Sequence, residues 1–216
     1  MVRVKICGLT NVEDALCATE AGADLLGFIF YAKSPRAATL EDARLSVRAA
    51  KQLNPNIVSV GVFVNESQAE IEHVMREASL DAAQLHGDET SERVASFHGQ
   101  AYKAIKRIAA QTDAHISAGP IAGSELSIPA LLLDADHATL YGGSGQRANA
   151  SAAHLLARRC NLLLAGGLTP GNVAEAIRMV HPWGVDVASG TEASPGRKDH
   201  GKVRAFIAAV RASDNG

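Results

Sequence analysis

The strongest constraint in this sequence is a regular alternation of short apolar runs with amphipathic segments from one end of the chain to the other. The runs are four to eight residues long and rich in Val, Ile and Leu, as strands covered on both faces are. The segments between them place apolar residues at helical spacing. Eight such units of about 27 residues each fill the 216 residues. This predicts one (β/α)8 barrel domain over residues 1–216, with a doubly wound open sheet as the alternative because local pattern does not reveal closure.

Element positions follow from the same pattern and from capping signals. Helix starts are predicted at Thr10 and Ser67, each followed three residues later by Glu, at Thr39, and at Thr169 before Pro170. A further helix is predicted over 150–159, with Asn149 able to cap it, and only a short helix or irregular chain over 109–128. The predicted strands are 2–6, 24–30, 57–63, 81–85, 101–108, 129–134, 162–165 and 184–187.

Composition excludes several classes of function. A net charge of -2 argues against a basic nucleic-acid surface, and 4% aromatic residues argue against base stacking. No run of 18 apolar residues predicts a membrane span, and the first residues lack the apolar segment of a signal peptide. Three cysteines without a Cys-x-x-Cys pair indicate neither a disulfide framework nor a zinc site. We therefore expect a cytoplasmic protein with no bound metal, nucleic acid or membrane partner.

Reactive side chains fall where predicted strands end. Cys7 follows strand 1, Arg36 lies after strand 2, His86 follows strand 4, and Asp134 ends strand 6. Each alone has an ordinary structural explanation, such as a buried thiol or a solvated loop arginine. In a barrel, however, the carboxyl ends of the strands converge on one rim, so we expect these side chains to line one site.

Glycines recur in three successive loops of the second half. Gly142, Gly143 and Gly145 follow strand 6, Gly166 and Gly167 follow strand 7, and Gly190 follows strand 8. Glycine lets backbone N–H groups approach an anion closely, and the loops after strands 7 and 8 are the usual phosphate site of this barrel. Ordinary turn glycines are the alternative, but three consecutive loops favour phosphate binding, assisted by a short helical turn near Thr191.

With these motifs together, the sequence resembles the phosphoribosylanthranilate isomerase family of tryptophan biosynthesis. The matching stretches span nearly the whole chain in the family's order. They are KICGLT at 5–10, GADLLGF at 22–28, SPR at 34–36, GVFVN at 61–65, QLHG at 84–87, LLD at 132–134, GGSG at 142–145, LAGGL at 164–168, GVDVASGTE at 184–192 and SPGRKD at 194–199.

The resemblance implies a cofactor-free Amadori rearrangement of N-(5-phosphoribosyl)anthranilate by a protein that is a monomer or a homodimer. It implies that Asp134 is the general acid that opens the furanose ring and that Cys7 is the general base that removes the proton from C2. Arg36 would hold the anthranilate carboxylate. The remaining substrate-binding residues that it implies are His86, Gly143, Gly145, Gly166, Gly167, Asp186, Ser189 and Gly190.

One segment departs from the family pattern. Where the family usually has Phe-Asp-Trp after the GGSG loop, this chain has no aromatic residue between Gln146 and Ser151. The departure predicts looser packing beneath that loop. Two other functions are alternatives. One is the related aminoaldose isomerase of histidine biosynthesis, a barrel that uses two aspartates. The other is a barrel that binds a phosphorylated ligand and has lost catalysis.

Overall fold

Eight parallel strands alternate with helices in a computed structural model that describes residues 1–109, 111–119, 128–134 and 144–214. The strands are β1 (Arg3–Cys7), β2 (Leu25–Phe30), β3 (Val58–Phe63), β4 (Ala82–Leu85), β5 (Ala101–Ile105), β6 (Leu131–Asp134), β7 (Leu162–Ala165) and β8 (Gly184–Val187). The helices are α1 (Val12–Glu20), α2 (Leu40–Leu53), α3 (Gln68–Glu77), α4 (Ser91–Ala95), α5 (Thr112–Ala118), α6 (Ser144–Ala157), α7 (Val173–Val180) and α8 (His200–Ser213).

The sheet is closed, in the order β1 to β8. β1 pairs in parallel with β8, with Arg3 opposite Gly184 and Lys5 opposite Asp186. The (β/α)8 barrel prediction is confirmed, and the open-sheet alternative is wrong because a pairing between the first and last strands leaves no free edge between them. Among the described residues, no helix is long and apolar enough to cross a membrane.

The side chains on the two faces of each strand belong to different hydrophobic cores. Val4 and Ile6 of β1 belong to the large core between the barrel and its helices, whereas Leu25 and Val60 belong to a smaller core inside the barrel. Lys5 lies on the inner face and is fully buried. In a strand that is covered on both faces, alternation of Val with Lys therefore does not indicate a solvent-facing side.

Capping residues confirm two predicted helix starts and correct two others. Thr39 and Ser67 accept hydrogen bonds from the backbone N–H groups of Asp42 and Glu70, as predicted. The N-cap of α1 is Asn11, however, because the Thr10 hydroxyl donates to the Gly196 carbonyl instead.

The N-cap of α7 is Asn172, and Thr169 and Pro170 lie in a turn that precedes the helix. The Asn172 side chain accepts from the Thr169 N–H and so folds this turn before the helix begins.

The glycine-rich segment before α6 also differs from expectation. α6 begins at Ser144, so Gly145 and Asn149 lie inside the helix, and Asn149 is not its cap. Residues 135–143, including Gly142 and Gly143, lie outside the described part of the chain. In the segment predicted as a short helix or irregular chain, α5 is the short helix.

A two-stranded strap follows β8; its short helical turn near Thr191 was predicted, but its two strands were not. It consists of a 3-10 turn (Ser189–Thr191), β9 (Glu192–Ser194) and β10 (Arg197–Lys198). Gly196, in its turn, has φ +78° and packs against the Pro35 carbonyl after β2. The strap thereby ties the end of β8 to the loops after β1 and β2.

The last helix, α8, packs an apolar face against the core, and substitutions on its two faces test the fold. Phe206 of α8 is fully buried, and Phe206→Ala should lower the free energy of unfolding by about 3–5 kcal/mol. Arg204→Ala, on the exposed face of the same helix, is the control and should change it by less than about 0.5 kcal/mol. Urea unfolding followed by circular dichroism measures both, and equal losses would contradict the assigned face.

Candidate active site

A cleft of about 320 Å³ lies at the carboxyl ends of the strands. It brings together most of the side chains predicted from sequence, although they come from distant parts of the chain. Its lining residues are Cys7, Ile29, Arg36, Val62, Gln84, His86, Leu132, Asp134, Ala165, Gly166, Gly167, Leu168, Asp186, Val187, Ala188 and Ser189. The cleft therefore brings together Cys7, Arg36, His86, Asp134, Gly166, Gly167, Asp186 and Ser189, whereas Gly190 is not among its lining residues.

Cys7 is the last residue of β1 and is only 5% exposed. Its carbonyl accepts a hydrogen bond from the Lys198 ammonium at 2.7 Å, which fixes the backbone where strand becomes loop. Burial raises the pKa of the Cys7 thiol, and the Lys5 and Lys198 ammonium groups offset part of that rise. The thiol thus sits in a dry site with positive charge beside it.

Asp134 ends β6 and shares the cleft with His86. His86 Nε2 lies 3.4 Å from Asp134 Oδ2, and His86 Nδ1 lies 3.0 Å from Gln84 Nε2. An amide nitrogen donates only, so this contact makes Nδ1 the acceptor and leaves the proton on Nε2, facing the carboxylate. His86 Nε2 therefore faces the Asp134 carboxylate from the β4 side of the cleft.

Arg36 reaches the cleft from the loop after β2. Its Nε and one terminal nitrogen donate to the two carboxylate oxygens of Glu192, both at 2.8 Å. Burial raises the pKa of Glu192, but the hydrogen bonds from Arg36 and the charge of Lys198 outweigh it, and the net shift is downward. One edge of the guanidinium is thus occupied by the protein, and its remaining N–H groups are those able to bind a ligand.

Glycines shape the rim after β7 and β8. Gly166 and Gly167 have φ of 103° and 62°, a left-handed backbone that favours glycine. A Cβ on Gly190 would lie only 1.9 Å from the Leu168 carbonyl oxygen, so these two loops touch through their backbones. Ser189 opens the predicted short helical turn.

Three polar residues of this region were missed by the sequence reasoning. Lys5 and Gln84 lie inside the barrel, where Lys5 Nζ donates to Gln84 Oε1 at 2.8 Å, and Glu192 lies on the strap. Lys5 carried a signal, since it stands two residues before Cys7 and so shares its face of the strand. Glu192 carried none, because its partner Arg36 is 156 residues away.

This combination of fold and site defines a class of enzyme. A thiol and a carboxylate meet in one cleft of a (β/α)8 barrel, beside a guanidinium and glycine-rich loops after β7 and β8, as in barrels that move protons on a phosphorylated substrate.

Comparison with known proteins narrows the class to a family. Residues 4–209 match the family described as N-(5'phosphoribosyl)anthranilate (PRA) isomerase. The N-(5'-phosphoribosyl)anthranilate isomerase of Pseudomonas fluorescens (strain Pf0-1) is 46% identical over 217 residues, covering 97% of this chain and 98% of the relative. The chain therefore belongs to the phosphoribosylanthranilate isomerase family.

Solved structures agree with this assignment. A phosphoribosyl anthranilate isomerase in complex with reduced 1-(o-carboxyphenylamino)-1-deoxyribulose 5-phosphate has a TM-score of 0.79 and 38% identity, covering 98% of this chain and 100% of its own. Mutually generated monomers of the dimeric isomerase from Thermotoga maritima give a TM-score of 0.78 at 38% identity, with coverage of 98% and 100%. The solved structures of this family thus share the fold of this chain over nearly its full length.

The backbone contact at Gly190 predicts a sensitive position. Gly190→Ala should push the loops after β7 and β8 apart and lower the free energy of unfolding by about 1–3 kcal/mol, the usual effect of overpacking. Gly171→Ala is a matched control, because a Cβ there meets nothing closer than 3.8 Å. Thermal and urea unfolding measure the difference, and equal stability of the two variants would contradict the contact.

Proposed function

We propose that this chain converts N-(5-phosphoribosyl)anthranilate to 1-(2-carboxyphenylamino)-1-deoxyribulose 5-phosphate, with Cys7 as general base and Asp134 as general acid. The observation that carries the proposal is the placement of both side chains in one cleft of a chain of this family. They stand on β1 and β6, with β7 and β8 between them, so a sugar in the cleft would have one on each side.

The proposed reaction is a pair of proton transfers. Asp134 gives a proton to the furanose ring oxygen, the C1–oxygen bond breaks, and the anthranilate nitrogen forms an iminium with C1. The Cys7 thiolate then takes the proton from C2, and the electrons of that bond neutralise the iminium to give an enolamine. The enolamine tautomerises to the ketone. The substrate gains one proton from Asp134 and loses one to Cys7, so the change is an isomerisation.

The other groups of the cleft hold the substrate. Arg36 offers its remaining N–H groups to the anthranilate carboxylate. Gly166, Gly167, Ser189 and Gly190 offer the loops after β7 and β8 to the phosphate, in the usual position for this barrel. We propose the same phosphate role for Gly143 and Gly145 and sugar contacts for His86 and Asp186. His86 and Asp186 line the cleft between the two proposed proton-transfer groups.

Further properties of the protein are proposals of the same kind. The protein binds a small phosphosugar as its substrate. It is a monomer or a homodimer, and the dimeric isomerase of Thermotoga maritima supports the dimer. Residues 1–216 form one domain, supported by the pairing of β1 with β8. The protein uses no cofactor and works in the cytoplasm, where the three free thiols stay reduced.

A direct assay tests the activity. The purified protein is mixed with freshly prepared N-(5-phosphoribosyl)anthranilate without metal or cofactor, and loss of the anthranilate-type fluorescence is followed. Rapid loss is expected. No loss, with a phosphate analogue still binding, would instead support a phospho-ligand-binding barrel that has lost catalysis.

Substitution of the two proton-transfer groups should abolish most turnover. Cys7→Ala and Asp134→Asn should each lower kcat by about 100-fold or more, since general acid–base catalysis contributes roughly 10²–10⁴ in rate. Binding of the reduced product analogue should be nearly unchanged in Cys7→Ala. A kcat within a few-fold of the unmodified protein would refute the role assigned to that residue.

Loss of the guanidinium should act on binding. Arg36→Met should raise KM by about 10- to 100-fold with a smaller change in kcat, because a charge-assisted hydrogen bond of about 1.5–3 kcal/mol is lost in both ground and transition states. Arg44→Met is the control, since Arg44 pairs with Glu41 on the exposed side of α2. An unchanged KM for Arg36→Met would place the anthranilate carboxylate elsewhere.

A further inference from the structure

Lys5 is a fully buried ammonium inside the barrel, directly below the proposed base. Its Nζ donates to Gln84 Oε1 at 2.8 Å and lies 3.2 Å from Asp186 Oδ1. The negative charges of Asp186 and Cys7 outweigh the effect of burial and raise the pKa of Lys5, so Lys5 is charged at neutral pH. A buried charge of this kind requires partners, and the groups that face it are the Gln84 amide oxygen, the Asp186 carboxylate and the Cys7 thiol.

The barrel is built to bring Lys5 against Cys7. The two residues are two apart in β1 and so face the same side of the strand. The neighbouring residue of β2 is Gly27, which has no side chain. A Cβ there would lie 2.7 Å from Cys7 Sγ and 3.1 Å from Lys5 Cε, so only glycine leaves room for both side chains. The thiol and the lysine stem thus lie side by side next to Gly27, and the Lys5 ammonium lowers the pKa of the thiol.

We propose that Lys5 is the positioning residue that makes Cys7 a base: its ammonium is the counter-charge of the Cys7 thiolate, and the Asp186 carboxylate competes with that thiolate for it. The inference deepens the proposed function, since it rests on Cys7 as the group that removes the C2 proton. In that step the proton moves from C2 to Cys7 Sγ, the thiolate becomes a thiol, and Lys5 keeps Asp186 as its partner. Before the transfer Lys5 thus faces two negative charges, the Cys7 thiolate and the Asp186 carboxylate, and after it only that of Asp186.

Other charged groups face Cys7, but they are engaged elsewhere. Lys198 donates to the carbonyls of Cys7 and Ala188 and pairs with Glu192. Arg36 is held by the same Glu192 through both carboxylate oxygens. Of the described cations around Cys7, Lys5 is the one that lowers the pKa of the thiol most.

Two further groups complete the surroundings of the thiol. Tyr102 donates its hydroxyl to Gln84 Oε1, the atom that also accepts from Lys5. Burial raises the pKa of Asp186, the nearby carboxylate of Asp134 raises it further, and Lys5 and His86 oppose both. Asp186 is thus the carboxylate that faces the Lys5 ammonium together with Cys7.

The test measures the thiolate directly rather than through turnover. The rate of alkylation of Cys7 by iodoacetamide is followed from pH 6 to pH 10.5 by mass spectrometry of the Cys7 peptide, with the Cys17 and Cys160 peptides as internal references. Lys5→Met should move the pH midpoint of Cys7 alkylation upward by about one unit or more, a tenfold loss of thiolate at neutral pH. Asp186→Asn should move it downward, because the competing carboxylate is gone.

A matched control separates charge from packing. Lys103 is a second buried lysine of the barrel wall, but its ammonium donates to the carbonyls of Leu85 and Gly87 and pairs with Glu89. Lys103→Met should leave the Cys7 midpoint within about 0.3 units. A purely structural role for Lys5 would change access to the thiol, and hence the rate at every pH, without moving the midpoint.

Each remaining outcome decides the question. An unchanged midpoint in folded Lys5→Met overturns the proposal, and if that variant does not fold, an unchanged or raised midpoint in Asp186→Asn overturns it. A shifted midpoint together with full turnover in Cys7→Ala would keep the coupling of Lys5 to the thiol but refute the base role of Cys7. Failure of this inference and failure of the proposed function are therefore distinguishable.

Discussion

The contact on which the rest of this structure depends is the pairing of Lys5 with Asp186 across the seam where β1 meets β8. The pair lies where the barrel closes, and both side chains point inward. Because side chains alternate along a strand, a slip of β1 by one residue in this register would turn Lys5 and Cys7 toward the helices and away from Asp186. Closure of the sheet and placement of the proposed base are thus fixed by the same pairing.

A chain of polar contacts leads from this seam across the floor of the cleft. Lys5 donates to Gln84 Oε1, Gln84 Nε2 donates to His86, and His86 Nε2 faces Asp134. The buried hydrogen bonds of Lys5 and Gln84 restrict the orientation of both side chains. These contacts connect the inner face of β1, where Cys7 stands, with Asp134 on β6, two strands that do not touch each other.

The strap after β8 holds residues of other loops in place at the outer edge of the cleft. Glu192 holds Arg36, Lys198 holds the carbonyl of Cys7, and Gly196 packs on the loop after β2. Segments from both ends of the chain thereby meet at one rim. Because ion pairs that are partly withdrawn from water are screened less than surface pairs, these contacts restrict the loops more than exposed pairs would.

The sequence by itself left closure of the sheet open, but it determined the order and type of the eight strand–helix units and predicted the rim on which Cys7, Arg36, His86 and Asp134 meet. It did so because hydrophobic period, capping residues and glycines act over a few residues, and because a parallel barrel places all its strand ends together. It misplaced the starts of α1 and α7, where Thr10 and Asn172 make contacts that a capping rule does not include, and the start of α6.

The tertiary structure alone decided that Lys5 points inward, that Glu192 occupies one edge of Arg36, and that the strap crosses the loops after β1 and β2. These depend on strand register, on closure and on pairs up to 191 residues apart, such as Lys198 with Cys7. No local pattern of residues encodes such distances, because they are fixed only when the sheet has closed.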